Sequence, residues 1–182
     1  MTPLRSFVTD ESGTAIIEFT LILPIIMTIF MASVEASMFM TRYVMMERSV
    51  DIVVRDIRLG NHDGMSHTEL KTLICEGGML VNSVTTCVNS MKIWMQPIDT
   101  ATFDMIAPAR DCVDRSEPID AQEDPTADEF AYGSDNEIML MRICLKEEPM
   151  FPTSALGATM IQDESDGNYA IVVTTVFVNE PE

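Results

Sequence analysis

Gly13 to Val34 reads GTAIIEFTLILPIIMTIFMASV, and this stretch decides the architecture of the chain. From Phe19 to Val34 no residue is charged and nearly all are large and apolar. With Thr14 to Ile17 added, the run reaches the roughly 20 residues that a bilayer-spanning helix needs. Glu18 intrudes near its amino-terminal end. A carboxylate costs about 2.5–3.5 kcal/mol at mid-bilayer and less near the interface, so Glu18 requires a partner or a shallow position. Pro24 removes one helical hydrogen bond, a defect that membrane helices accommodate as a kink.

Past Val34 the apolar run passes without a break into an amphipathic pattern. Ala32, Ala36, Phe39, Tyr43, Met46, Val50, Val53 and Ile57 recur at steps of three and four, which is one face of a helix. Gly60-Asn61 supplies the stop that a left-handed cap prefers. A helix from about Thr14 to Leu59 is roughly 70 Å long at 1.5 Å per residue, more than a bilayer can hold. Its first half is therefore expected in lipid and its second half against a folded body.

Residues 1–13 (MTPLRSFVTDESG) are short, polar and end in Ser-Gly. A secretory signal would place small residues in an A-x-A pattern after the apolar run. The stretch ASVEAS, Ala32 to Ser37, fits that poorly because Glu35 intrudes, so the segment reads as retained.

The chain carries a formal net charge of −18, which excludes nucleic acid as a partner because phosphates need Lys and Arg. The same acidity disfavours binding to anionic lipid through basic residues. Cys75, Cys87, Cys112 and Cys144 all lie beyond the apolar run, and an even number on one side of a membrane segment suggests an oxidising compartment there. Arg5 gives only a weak vote under the positive-inside rule. The cysteines favour the amino terminus inside and the body outside.

The body, residues 61–182, reads as α+β. Ser66 and Glu69 make a capping box for a short helix carrying Leu70, Leu73 and Ile74, loosened at Gly77-Gly78. Val88 to Met95 alternates, with Met91, Ile93 and Met95 on one side, and reads as a strand closed by Pro97. Phe103 to Ala107 is a candidate partner strand. Residues 110–137 are acidic and poor in apolar residues, a long solvated loop. Ile138 to Lys146 is a second strand, with Met139, Met141, Ile143 and Leu145 on one face. Asp166-Gly167 marks a turn, and Tyr169 to Val178 is a third strand. The expected fold is a long, partly transmembrane helix (14–60) packed on a small antiparallel sheet, as in pilins.

Four cysteines permit three pairings. Cys75 and Cys87 flank a short loop whose closure costs little entropy, and this brings the short helix onto the sheet. Cys112 then pairs with Cys144 and tethers the acidic loop, which has too little apolar surface to fold alone.

The residues for catalysis are not evident. His62 and His67 are five apart across Gly64, unlike the i,i+4 pair of a helical metal site, and read as a solvated turn. Nucleophile-elbow, phosphate-loop and dinucleotide motifs do not occur. Asp163 to Asn168 lacks the carboxylate spacing of a calcium loop, and the acidic loop reads as solvated charge. Cys75 and Cys87 lack the spacing of a zinc or redox motif. No enzymatic activity, metal or cofactor is implied.

The segment ESGTAIIEFTLILPIIMTIFMASVEASMFMTRYVMMERSVDIVVR resembles the amino-terminal signature of TadE-like proteins, minor pseudopilins of the Tad (Flp) pilus system. The matching features are the polar leader ending in Gly13, Glu18-Phe19 shortly after it, Leu23-Pro24, Glu35 and the helical tail through Val54-Arg55. The resemblance implies cleavage between Gly13 and Thr14 by a prepilin peptidase. It implies that Glu18, Phe19 and Pro24 serve assembly, with Glu18 meeting the new amino terminus of a neighbouring subunit. The implied partners are other Tad pilins and pseudopilins, the peptidase, the Tad inner-membrane assembly platform and the membrane. The thin positive charge of the leader and Phe19, where major Flp pilins carry Tyr, depart from the main subunit and point to a minor one. The expected role is initiation, assembly or tip of a pilus for adhesion and surface colonisation, from an inner-membrane, single-pass protein with a periplasmic body or from an extracellular pilus. The competing readings are an anchored extracytoplasmic ligand-binding domain unrelated to pili, and a secreted protein that has lost its apolar run.

Overall fold

The computed structural model describes residues 14–61, 64–78, 83–102, 112–113, 115, 125–126, 129–161 and 167–180. Residues 1–13, His62, the strand expected at Phe103 to Ala107, half of the acidic loop 110–137 and Asp163 to Asp166 lie outside them.

Helix α1 spans Thr14–Arg58 and runs unbroken through Pro24. Its end is a cap of the kind Gly60-Asn61 announces. The Gly60 N–H donates to the Ile57 carbonyl and the Asn61 N–H to the Asp56 carbonyl, while Gly60 takes the left-handed φ of 70° that a side chain would resist. Helix α2, His67–Gly77, opens with the Ser66/Glu69 capping box. The Glu69 N–H donates to Ser66 Oγ, while the Ser66 N–H and hydroxyl both donate to the Glu69 carboxylate and hold it below the usual range.

A short helix α3, Val84–Ser90, precedes strand β1, Met91–Pro97. This corrects the expected strand from Val88. Ser83 caps α3 by accepting the Thr86 N–H, so the backbone stays helical until Met91. From there the alternation holds, with Met91, Ile93 and Met95 buried. Strand β2 is Ile138–Glu147, a second unexpected helix α4 is Ala155–Met160, and strand β3 is Tyr169–Val178. Ser154 caps α4 through the Gly157 N–H.

The sheet is antiparallel, in the order β1-β2-β3. Its register sets Ile93 opposite Ile143 and Ile143 opposite Val173, so the core residues of all three strands line one face. That face meets Met46, Val50, Val53, Val54 and Ile57 of α1, with Leu70 and Ile74 of α2 completing the core. The fold class is therefore α+β, with the helix's second half laid on a three-stranded sheet.

α1 and α2 approach closely where Ser49 Oγ donates to the Ile74 carbonyl at 2.6 Å. A Cβ on Gly77 would sit 2.5 Å from that Ser49 Oγ, so the crossing needs glycine there. Cys75 of α2 is bonded to Cys87 of α3, with Cα atoms 5.9 Å apart. Cys112 is bonded to Cys144 of β2, with Cα atoms 5.5 Å apart. Cys144 points to the sheet face opposite Ile143, so Cys112 and the buried Val113 lie on that far side.

The end of the acidic stretch is not solvated. Met95 N–H donates to the Glu129 carbonyl and Ala131 N–H to the Met95 carbonyl, a parallel bridge on the free edge of β1. Phe130 packs edge-on to Tyr132 and to His67. His67, expected in a solvated turn, instead opens α2 with Nε2 3.1 Å from the Ile93 carbonyl oxygen.

Candidate functional site: the free helix and its polar clamp

Ala15 to Phe30 stand clear of the body, every residue exposed. An 18-residue window of this helix has a mean hydropathy of 2.3, enough in length and composition to cross a membrane. Such a surface is not stable in water: Ile16, Leu21, Ile25 and Ile29 are each more than 60% exposed. Its hydroxyls are satisfied within the helix. Thr28 Oγ1 donates to the Pro24 carbonyl at 2.7 Å, Thr20 donates to Ile16, and Ser33 Oγ donates to Phe30 at 2.8 Å. Back-bonding of this kind removes the cost of placing a hydroxyl in hydrocarbon.

Glu18 and Phe19 lie on this free stretch, both exposed, and Pro24 lies within it. Thr14 begins the described helix, while Gly13 lies outside the described residues. The structure thus sets Glu18, Phe19 and Pro24 along one projecting rod, away from the disulfides. The Cys75–Cys87 pair sits in the core, and Cys112–Cys144 on the far side of the sheet.

Where the helix enters the body, a second carboxylate is treated in the opposite way. Glu35 is 1% exposed. Its Oε1 accepts the Met150 N–H at 3.1 Å and its Oε2 accepts the Phe151 N–H at 2.8 Å. These bonds clamp the β2–β3 connection onto α1, and α4 packs on the helix beside it. Two turns further along, Arg42 donates to the Glu148 carbonyl at 3.0 Å and to the Tyr169 hydroxyl, and lies 3.7 Å from Glu147. Arg115 extends the cluster to Glu148 at 3.5 Å and to Asn168 Oδ1 at 3.0 Å.

Burial pushes the Glu147 carboxyl up, against the opposing pull of Arg42 and Arg115. Burial likewise raises the Tyr169 hydroxyl, with Arg42 working the other way. The cluster is a structural clamp: it supplies acceptors and donors for backbone and side chains and has no nucleophile–base pair in it. Sequence reasoning used Glu35 against a signal-cleavage site and in the family signature, and placed Arg42 off the apolar stripe, without a partner for either. A signal existed, since both sit beside the apolar stripe, where a charge must find an internal partner.

These features define a class: an α+β body carried on one apolar helix that is long and hydrophobic enough to cross a membrane. The family model for TadE-like protein matches residues 13–55, so the resemblance read from the sequence stands over that segment. The matched residues include exposed Glu18 and clamped Glu35. No curated protein and no solved structure matches the chain.

Proposed function

We propose that the protein is a minor pseudopilin of a Tad/Flp-type pilus, acting in initiation, assembly or at the tip of the filament, as an interaction protein rather than an enzyme. The observation that carries this reading is the free apolar rod Ala15–Phe30 with Glu18 on it, inside the segment that matches TadE-like protein. A carboxylate on an apolar rod needs a counter-charge wherever the rod is buried. An α-amino group at Thr14 of a neighbouring subunit would provide it, once a prepilin peptidase has cut after Gly13. The body then stands on the extracytoplasmic side, where the two cystines are stable.

Intact mass of the mature protein from its native envelope tests the reading. Loss of residues 1–13 supports it, and Gly13→Leu should abolish that loss. An unprocessed chain points to an anchored domain unrelated to pili, and loss extending through about Ser33 points to a secreted one.

A further inference from the structure

Glu35 marks a level along α1 as well as a contact. Ala15 to Phe30, the fully exposed stretch, is about 24 Å long at 1.5 Å per residue. The hydrocarbon core of a bilayer is about 30 Å thick. The shortfall is about four residues of helix, which places the hydrocarbon boundary near Val34. Burial of the helix by the body begins at Met31, and Glu35 is held there by Met150 and Phe151. An apolar rod inserted to its full thickness therefore draws the near rim of the body down to the membrane surface.

The composition of that rim fits the position. Pro149 to Ile161 reads PMFPTSALGATMI, without one charge, in a chain of net charge −18. Met150, whose N–H is held by Glu35, is 52% exposed. On the helix itself, Glu35 is the only charge between Glu18 and Arg42, and its two oxygens are occupied by the N–H groups of this same rim. Carboxylates elsewhere on the body would be repelled by anionic headgroups and would resist desolvation at neutral ones.

We propose that Pro149–Ile161, the uncharged part of the β2–β3 connection that includes helix α4, is a lipid-contacting collar that seats in the headgroup layer around the exit of α1. Met150 is its inserting side chain, and Glu35 fixes the collar's height on the helix. The partner is the bilayer surface itself. The collar rests on the reading of α1 as membrane-spanning and adds a second contact to it. It sets the depth and tilt of the body through an interfacial anchor, as side chains at helix exits do.

The test uses the full chain in phosphatidylcholine vesicles, with and without bromine on the acyl chains near the headgroup. Trp94, the only native tryptophan, is 3% exposed and gives a constant internal signal. Three single variants add a reporter: Phe30→Trp on the free rod, Met150→Trp on the collar, and Val178→Trp at the end of β3, paired with Ile138. Brominated lipid should quench Phe30→Trp and Met150→Trp and leave Val178→Trp unchanged. Quenching of Phe30→Trp alone overturns the collar and leaves the spanning helix standing. A blue-shifted but unquenched Met150→Trp also overturns it, since protein then covers that side chain in place of lipid. Unquenched Phe30→Trp removes the spanning helix, and the collar with it.

Discussion

Glu35 and Phe151 are far apart in sequence, yet the Glu35 carboxylate accepts the Phe151 N–H at 2.8 Å and the Met150 N–H at 3.1 Å. One buried side chain thereby joins the helix that leaves the membrane run to the loop between the last two strands.

Glu35→Ala removes the acceptor from two backbone donors and leaves them unsatisfied. Hydrogen bonds to a charged group contribute about 1.5–3 kcal/mol each, so a loss of roughly 2–4 kcal/mol is expected after partial rescue by water. Denaturant unfolding in detergent measures it, and hydrogen exchange at Met150 and Phe151 should accelerate before the rest of the sheet. Unchanged protection at those two amides would show that the clamp contributes nothing in solution.

Glu147 gives a pH signature. Burial raises its folded-state pKa above that of the unfolded chain, so the folded protein keeps this proton to higher pH. The associated stability is complete below the ordinary carboxylate pKa and is lost as pH rises through the raised value. Glu147→Gln does not titrate. Wild type should therefore lose stability relative to Glu147→Gln between about pH 4 and about pH 7. Paired thermal melts at the two pH values cancel every other titrating group. A gap that shrinks as pH rises would show that Arg42 outweighs desolvation.

The Cys75–Cys87 bond joins α2 to α3 within the core, with 12 residues of separation. Removing it with the double change Cys75→Ala/Cys87→Ala should cost about 2–4 kcal/mol. α3 is only seven residues long, too short to be stable on its own, so its amides should exchange first. The same double change with no shift in the unfolding midpoint would mean that α3 is held by packing alone.

Glu18→Gln separates the assembly role from simple insertion. The amide keeps the shape and removes the charge that should meet a neighbour's amino terminus. Membrane extraction profiles should match wild type while filament output falls. Wild-type filament output from the variant would assign Glu18 to an interfacial position near the lipid surface.

The sequence determined the features whose causes are local. The apolar run and the three-four stripe gave α1 to within a residue of its end, because helix periodicity is written in consecutive residues. Apolar residues at every second position gave β2, a β-branched run after a turn gave β3, and Gly60 and Ser66/Glu69 gave two caps. The short helices were hidden: α3 follows from Ser83 capping a seven-residue turn of weak propensity, and α4 from Ser154 doing the same for six. Only the tertiary structure decided where Glu35, Arg42 and Phe130 go. Glu35 is satisfied by the backbone N–H groups of Met150 and Phe151, and Glu129 and Ala131 pair with the backbone of Met95. Every non-proline residue carries that same N–H, so no side-chain pattern marks which one a distant carboxylate will find. The partner is chosen by the packing that brings the β2–β3 loop against the helix.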